Sequence, residues 1–575
     1  MKYQHIICVD FEYRALDGHR PEIRCMVSKD IITGKLTELW ADSLNSLSAP
    51  PFPIGPENLI VCYAATAEIS CFFQLGWGVP HNILDLYAEH KALYNNAKIN
   101  GNFNLIGLKA LHGLSTLSEK DKDTFRNLAT ENRRSHEYSR QDRSALIDYC
   151  RDDVFALVHL LPKMSSVIDL PTALYRGHYM ASVAWMGHVG IPIDADIMSN
   201  LARHRQEMID SYLKAEGYFH GIYDGGHFKE KRYYVWLKEN GIDMPLTESR
   251  KPSLRDGDLK DLGFIYPEIK RLREIRRTLV FLRRFSVDVG ADGRSRPYLN
   301  PLGGKTGRNQ PPTKHFIFGA SKWLRGIVKP PLGHGVAYID WVSQEIAIAA
   351  HLSKDKNMIT AYMNEDPYIS FGIQSGLIPP GGTKKTHPEE RRLCKICLLA
   401  SLYDISGDSL AIRLGKPPAV GQQMRRLFRD TFKTYVEWSR CVVNFALQKG
   451  RLRTILNWSI SVRPNINPRT LKNFPIQGAG ANIMQMASIL AMEAGIQVAC
   501  PVHDAFLIIY RIPEKKKTIQ KMQHIMETAA KLVIGFKIRT DVKAFDYPNR
   551  YRDDNAGEFW DFAMKLLNNI SKKSA

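Results

Sequence analysis

Two apolar segments that each lead into an aspartate constrain this chain more than any other feature of its sequence. Residues 336–339 are followed by Asp340, and Asp504 lies in a short turn between apolar residues 499–502 and 505–509. Each apolar segment predicts a buried strand, and a carboxylate at the exposed end of a strand is a hard oxygen ligand suited to magnesium. An acidic residue at a strand end also has a purely structural interpretation. The two aspartates are therefore candidates to share a metal pair, and the residues between them decide between the two interpretations.

The length and charge of the chain indicate several structural units and a polyanionic partner. With 575 residues the chain exceeds what one hydrophobic core organises, so we expect three or four units. Hydrophobic residues make up 44%, the usual share for a globular protein. The net charge of +20 favours nucleic acid as the partner.

Three features of the sequence predict a cytoplasmic protein without a membrane segment. Apolar residues nowhere run for the roughly 18 positions that a membrane span needs. The N-terminus enters a strand pattern directly, without the layout of a signal peptide. The nine cysteines have no regular spacing, which is typical of reduced thiols. We therefore expect the protein in a bacterial or phage-infected bacterial cytosol.

A long helix predicted from residue 268 to residue 284 combines a narrow apolar face with an excess of positive charge. Its apolar residues at positions 269, 272, 275, 279 and 282 share one face, and seven Lys and Arg residues cover the remainder. Solvated helices usually mix charges of both signs, so this excess suits a rod lying along a phosphate backbone. A merely basic surface is the alternative.

A second predicted helix, from residue 388 to about residue 403, carries a stripe of residues in an order that suits a nucleotide. Arg391, Lys395, Leu399 and Tyr403 recur every four positions and therefore lie on one helical face. Two cations match the phosphates, and an apolar side chain followed by a ring matches the sugar and base. An ordinary basic amphipathic helix is the alternative.

Near the N-terminus, four residues are spaced so that their side chains meet in pairs. Asp10 and Glu12 lie two positions apart on a predicted strand, so both carboxylates point to the same side. Tyr149 and Asp153 lie four positions apart on a predicted helix and share one face. The pattern indicates a second carboxylate site in the first 165 residues.

Five motifs, in the order in which they follow one another along the chain, resemble those of family A DNA polymerases, the DNA polymerase I type. The resemblance extends over nearly the whole chain. Residues 336–355 are similar to the first palm motif, residues 391–415 to the fingers helix and its continuation, and residues 502–504 to the last palm motif. Residues 306–308 match a motif at the entry to the palm, and residues 469–478 match a segment that contacts DNA. The DNA-binding residues implied by the resemblance are Thr306, Arg308, Arg469, Asn473, Gln477 and His503.

The resemblance implies a multidomain protein of the α/β and α+β classes. A ribonuclease H-like exonuclease domain would precede a polymerase right hand of palm, fingers and thumb. The implied boundaries are a 3′-5′ exonuclease domain (1–165), a helical thumb and connecting region (166–290), a first palm segment (291–354), fingers (355–460) and a second palm segment (461–575). No 5′-nuclease domain is expected, and this compact layout fits a phage or mobile-element replicase.

The resemblance also assigns roles within the polymerase site. Two Mg²⁺ ions, for which Mn²⁺ would substitute, are expected to bridge Asp340, Asp504 and the triphosphate, with the Trp341 carbonyl as an extra ligand. Arg391 and Lys395 would neutralise the phosphates, and Lys395 would protonate the pyrophosphate. The nucleotide-binding residues on the sugar and base side would be Glu345, which crowds the sugar 2′ position, with Leu399 and Tyr403.

Several positions depart from the family pattern. Val342-Ser343-Gln344 replaces the usual Ser-Gln-Ile, and Ala505 replaces a Glu in the last palm motif. On the fingers helix, Leu399 replaces an aromatic residue, while Ala400 and Asp404 replace glycines. These changes leave the catalytic residues in place and make nucleotide preference the open question.

The N-terminal residues resemble the proofreading 3′-5′ exonuclease domain of the DEDD superfamily. Two Mg²⁺ ions would be held by Asp10, Glu12, Glu68 and Asp153, with Tyr149 orienting the attacking water. Glu68 stands where most members have Asp, and Asp85 is a rival candidate with a structural interpretation. A decayed domain that only binds single strands is the alternative.

The expected partners are primer-template DNA and dNTPs, with a processivity factor, a helicase or a primase as accessory proteins, and the chain is expected to be a monomer. Three other functions remain open at this point: a single-subunit RNA polymerase, a catalytically silent DNA-binding derivative, and a polymerase specialised for a modified nucleotide.

Overall fold

The structure is a computed structural model that describes residues 3–98, 102–115, 119–224, 226–284, 287–319, 321–554 and 556–574. Among these residues, no helix is both long and apolar enough to cross a membrane.

The N-terminal unit is a five-stranded mixed sheet covered by helices. Its strands are β1 (His5–Arg14), β2 (Glu22–Asp30), β3 (Leu36–Trp40), β4 (Asn58–Cys62) and β5 (Ile83–Asp85). Its helices are α1 (Ala41–Leu44), α2 (Thr66–Gln74), α3 (Leu86–Tyr94), α4 (Leu105–Leu111), α5 (Glu119–Thr130) and α6 (Arg140–Ser165). The strand order is β3-β2-β1-β4-β5. The pairs β1–β4 and β4–β5 are parallel, whereas β1–β2 and β2–β3 are antiparallel.

The central strand β1 divides its side chains between two cores. Val9 and Phe11 pack in one core with α2, whereas Cys8 packs in the other core with Cys150 of α6. Because side chains alternate along a strand, Asp10 lies on the Cys8 side and faces α6.

A helical region follows, and its first helix joins the N-terminal unit to the rest of the chain. The helices are α7 (Leu170–Val189), α8 (Ala195–Arg203), α9 (Arg205–Ala215), α10 (Glu230–Glu239), α11 (Asp256–Leu262) and α12 (Pro267–Arg284). Short strand pairs are formed by β6 (Ile191–Pro192) with β9 (Arg294–Ser295) and by β7 (Tyr223–Asp224) with β8 (His227–Phe228). On α12 the five apolar residues of the predicted face are buried, which confirms the predicted helix.

The C-terminal half contains a four-stranded antiparallel sheet. Its first strand is β10 (His334–Trp341), followed by α13 (Gln344–Ser353), α14 (Lys356–Met363), α15 (Pro367–Gln374), α16 (Pro388–Leu402), α17 (Gly407–Leu414), α18 (Pro418–Thr431) and α19 (Lys433–Lys449). The hairpin of β11 (Arg451–Arg453) and β12 (Ser459–Ser461) leads to α20 (Pro468–Glu493), β13 (Gln497–Val502), β14 (Ala505–Arg511), α21 (Lys515–Ile534), β15 (Thr540–Asp546) and α22 (Gly557–Ser574).

The two apolar segments singled out in the sequence are therefore buried strands of one sheet. The strand order of this sheet is β13-β14-β10-β15, so β10 lies between β14 and β15. The helices α20 and α21 pack together beside the sheet. The predicted fingers helix also forms, as α16, and it ends one residue before Tyr403.

Candidate active sites

The central strand pair of the antiparallel sheet brings Asp340 and Asp504 together. Asp340 is directly opposite Ala505 in the register of β10 and β14, so Asp504 lies one residue before its partner position. The Trp341 backbone N–H donates a hydrogen bond of 3.3 Å to the Asp504 carbonyl oxygen. The indole of Trp341 is buried and donates to the Met526 carbonyl at 3.2 Å, which anchors this end of the strand.

A residue with left-handed backbone conformation lies three positions after Asp340, and another directly precedes Asp504. Ser343 has φ of 51° and His503 has φ of 55°, a region that non-glycine residues seldom adopt. Such conformations cost free energy and cluster at functional sites. His503, which is exposed, directly precedes Asp504 in this turn.

The electrostatics of the site reflect several carboxylates in close proximity. Burial, and then the negative charges of Asp504 and Asp541, raise the pKa of Asp340 to about 7. Asp541 lies on the edge strand β15, directly opposite Asp340. The sequence reasoning missed Asp541, because only the register of β10 and β15 reveals that it shares a face with Asp340.

Arg308 occupies part of this site. Its Nη2 atom lies 3.0 Å from Oδ1 of Asp504, in an ion pair that is about one-third exposed. The preceding Gly307 has φ of 79° and its carbonyl accepts a hydrogen bond of 2.9 Å from the Gln485 side chain. The half-buried Thr306 lies beside α20, where its carbonyl faces Gly478. Arg308, predicted to contact DNA, is thus held against a predicted metal ligand.

The stripe on α16 is bonded to other elements at its two ends. Arg391 Nε lies 2.5 Å from Asp366 Oδ2. At the far end, the Tyr403 hydroxyl donates a hydrogen bond to Glu345. Burial raises the pKa of Glu345, although its bond with Tyr403 favours the ionised form. Lys395 is exposed and Leu399 is half-buried between these ends.

A single aromatic ring lies beneath both cations of the stripe. The Tyr368 ring centroid is 5.3 Å from the Arg391 guanidinium and 5.6 Å from the Lys395 ammonium. The Tyr368 hydroxyl lies 3.4 Å from the Ser343 hydroxyl. Sequence reasoning missed Tyr368, because it belongs to α15 and meets α16 only through tertiary packing.

The three predicted DNA contacts on α20 follow the same four-residue spacing. Arg469 is exposed, whereas Asn473 and Gln477 are half-buried along one face of the helix. Gln477 lies within hydrogen-bonding reach of Tyr403, which joins this face to the end of α16.

In the N-terminal unit, the packing of α6 on β1 brings Tyr149 to the carboxylates. Burial, and then the charges of Asp153, Glu12 and Asp10, raise the pKa of Tyr149. Its ring stacks on Phe125, with centroids 5.1 Å apart. The Cys150 thiol lies 3.3 Å from Oδ2 of Asp10. The structure therefore gathers all four residues that the spacing paired.

The structure separates Glu68 from its rival Asp85. The buried Asp85 carboxylate accepts hydrogen bonds from the backbone N–H groups of Ala64, Ala65, Tyr87 and Ala88, which include the first turn of α3. Asp85 is thus a structural helix cap. Glu68 is 3% exposed, and its Oε2 has no hydrogen-bond partner among the described residues. Burial and the neighbouring Asp10 raise the pKa of Glu68.

Both sites suit a divalent cation by the chemistry of their donors. In the N-terminal site, an ionised Glu68 with an orphaned oxygen next to Asp10 requires a compensating positive charge. In the C-terminal site, Asp340 and Asp504 repel each other in the same way. Within the described ranges, no three His, Cys, Asp or Glu side chains converge closely enough to form a complete ligand set as they stand.

Comparisons with known proteins show similarity to DNA polymerases. Residues 317–546 match the model of DNA polymerase family A. The chain is 24% identical over 438 residues to DNA polymerase I of Aquifex aeolicus, covering 68% of this chain and 73% of that protein. It is 24% identical over 277 residues to the DNA polymerase of Mycobacterium phage L5, covering 47% of this chain and 44% of that protein.

A solved structure has the same overall fold. It is described as the POL domain of Pol1 from M. smegmatis in complex with DNA primer-template and dNTP, with a TM-score of 0.69 and 18% identity over 97% of this chain and 96% of that chain. The mixed α/β and α+β fold class expected from the sequence is confirmed, as is the resemblance to family A DNA polymerases. Residues 317–546 of this chain thus match DNA polymerase family A, and the chain has the fold of a polymerase domain.

Proposed function

We propose that this chain is a DNA polymerase that extends a primer 3′-hydroxyl with dNTPs on a DNA template. The observation that carries this proposal is the convergence of Asp340 and Asp504 within the segment that matches family A, next to Glu345, which binds Tyr403 at the end of the α16 stripe. The names of the relatives, and the primer-template and dNTP in the solved complex, support the same substrates.

In the proposed reaction, the primer 3′-oxygen forms a bond to the α-phosphorus of the dNTP, and the bond from that phosphorus to the bridging oxygen breaks. Asp340 and Asp504 would hold divalent cations, expected to be Mg²⁺, which would lower the pKa of the 3′-hydroxyl so that its proton passes to water, and would neutralise charge on the pyrophosphate. Arg391 and Lys395 bind the phosphates and stabilise the charge that develops on them. Lys395, which is exposed on α16, donates a proton to the departing pyrophosphate.

The other residues of the site orient the nucleotide. Glu345, fixed by the Tyr403 hydroxyl, fills the space beside the sugar 2′ position and excludes a ribose hydroxyl. Tyr403 packs beside the templating pair, and His503 contacts the primer terminus. Arg308 leaves Asp504 and turns to the DNA when substrates bind, because a guanidinium and a metal ion compete for the same carboxylate.

A second activity, 3′-5′ exonucleolytic proofreading, is proposed for the N-terminal unit. It rests on Tyr149 lying among Asp10, Glu12 and Asp153, and on the orphaned oxygen of Glu68, whose carboxylate is a neighbour of Asp10. Water would attack the terminal phosphodiester, the phosphorus-to-3′-oxygen bond would break, and Tyr149 would orient the water. The likeness to a phage polymerase supports a replicative role in a phage or mobile element.

Primer extension with the intact chain and with Asp504→Asn tests the polymerase proposal. We expect the substitution to lower the extension rate on the order of a thousandfold, because it removes charge at the phosphoryl-transfer centre. Extension at the unchanged rate would overturn the assignment of Asp504. A parallel assay with ribonucleotides alone separates a DNA polymerase from an RNA polymerase.

A further inference from the structure

A small cationic pocket lies at the C-terminal end of α16, outside the residues used in the proposed reaction. Its volume is about 160 Å³. The charged side chains that line it come from the end of α16 and from α18, α19 and α20: Asp404, Arg425, Arg429, Arg440 and Lys472.

The charges in this pocket do not balance. Asp404 is the one carboxylate in its lining, and it binds Lys472 at 2.6 Å and Arg425 at 3.0 Å. Arg440 reaches the exposed Glu437 at 3.5 Å. Among the described residues, no acidic side chain forms an ion pair with Arg429, which is exposed on α18. Four cations around one carboxylate attract a further anion.

Asp404 holds its position against a backbone preference. Its φ of 51° lies in the left-handed region, which costs a non-glycine residue about 1 kcal/mol. Burial opposes the charge of Asp404, but the ion pairs with Lys472 and Arg425 outweigh this effect and hold its pKa below the usual value. The carboxylate thus occupies a place where two cations face a single negative group.

The position of the pocket points to the origin of that anion. Asp404 directly follows Tyr403, which is bonded to Glu345 and lies beside Gln477 in the proposed nucleotide site. Lys472 directly precedes Asn473, a predicted DNA contact on α20. A template strand that passes Tyr403 before it pairs would therefore run beside this pocket.

We propose that this pocket binds a phosphodiester group of the unpaired template strand, and that the Asp404 carboxylate competes with this group for Lys472 and Arg425. The inference rests on the proposed polymerase function. It adds a contact that would hold the strand before pairing, with Asp404 limiting how tightly it is held.

Binding of DNA to the full chain in EDTA, measured by fluorescence anisotropy, tests the pocket without catalysis. The probes are one primer-template with a 5′ overhang and the same duplex with a blunt end. Arg429→Gln is compared with Arg426→Gln, its matched control on α18. Arg426 is 85% exposed, pairs with Asp430 and does not line the pocket. Both substitutions are at exposed positions and leave the core intact.

We expect Arg429→Gln to weaken binding of the overhang probe. In a plot of log Kd against log salt concentration, the slope for this probe should fall by about 0.7, the change expected when one contact to a single strand is lost. Binding of the blunt probe, and of both probes to Arg426→Gln, should stay unchanged. Equal effects of Arg429→Gln on the two probes, or no effect on either, would overturn the proposal.

Asp404→Asn tests the competition, with thermal unfolding as the check on folding. It should tighten binding of the overhang probe roughly threefold, because two cations are released to the phosphate, and leave the blunt probe unchanged. Weaker or unaltered overhang binding by the folded variant would contradict the role of Asp404. Primer extension in Mg²⁺ on the same proteins distinguishes this failure from failure of the polymerase proposal.

Discussion

The two carboxylate sites of this chain differ in how they balance their charge. In the antiparallel sheet, Asp504 is paired with Arg308, and the site is partly open. In the N-terminal unit, Glu68 is buried beside Asp10, and its Oε2 has no partner among the described residues. The first site holds a cation of its own that substrates must displace, whereas the second depends on a proton or a metal ion for neutrality.

The largest effect is expected from paired substitutions in the N-terminal unit. Glu68→Gln should lower 3′ degradation by roughly 10²–10³-fold, as for loss of a charged group at a reaction centre, while the protein keeps its fold. Asp85→Asn should lower the free energy of unfolding by about 1–3 kcal/mol, because the amide keeps only one of the two acceptor oxygens and turns an NH2 group toward a backbone N–H. Degradation assays and thermal unfolding on both variants measure these changes. Equal loss of stability in both variants would contradict the assignment of Glu68 as a metal ligand and Asp85 as a helix cap.

Arg308→Ala should separate metal binding from DNA binding in the C-terminal site. Without the guanidinium, we expect Mg²⁺ to bind the DNA-free protein about threefold more tightly, since its competitor for Asp504 is gone. Primer extension should nevertheless fall about tenfold, because a DNA contact is lost. Calorimetric titration with Mg²⁺ and extension assays give the two values. Weaker Mg²⁺ binding by the variant would show that Arg308 supports the site instead of competing for it.

Tyr368 offers a finer test of the nucleotide stripe. Tyr368→Leu removes the ring beneath Arg391 and Lys395 and should raise KM for dNTPs about fivefold, because each cation loses roughly 0.5–1 kcal/mol of contact with the ring. Tyr368→Phe retains the ring and should stay within about twofold of the original KM. Similar KM values for the two variants would assign the effect to the hydroxyl group, through Ser343.

The smallest expected effect is a pH dependence of stability in EDTA. The pKa of Asp340 is raised to about 7, first by burial and then by Asp504, so its ionisation costs stability as the pH rises from about 4 to about 7. Asp340→Asn should therefore melt at a higher temperature than the original protein at pH 8, and the difference should vanish near pH 4. Thermal unfolding across this range measures it, and a constant difference would contradict the burial of Asp340.

The features that could be predicted from the sequence are those set by local periodicity. The two-residue spacing of Asp10 and Glu12 and the four-residue spacing on α16 and α20 fix which side chains share a face. Asp541 and Asp366 could not be found in this way, because each contacts a residue of another element: Asp541 of β15 lies opposite Asp340 of β10, and Asp366 binds Arg391 of α16. The pairing of Arg308 with Asp504, 196 residues apart, likewise depends on the folded sheet.

For the departures from the family pattern, the replaced residue could be recognised in the sequence, but its surroundings could be found only in the structure. Ala505 could be recognised as a missing carboxylate, but only the register shows that Asp541 flanks Asp340 on the opposite strand. Asp404 could be recognised as a replaced glycine, and the structure adds its left-handed backbone and two ion pairs.

The most direct test of two separate sites is a double comparison on one primer-template in Mg²⁺. Extension with dNTPs and 3′ degradation without them are measured for Asp340→Asn and for Asp10→Ala, with folding checked by thermal unfolding. We expect Asp340→Asn to abolish extension and retain degradation, and Asp10→Ala to do the reverse. Extension by the folded Asp340→Asn protein, or loss of both activities from either substitution, would contradict the separation of the two sites.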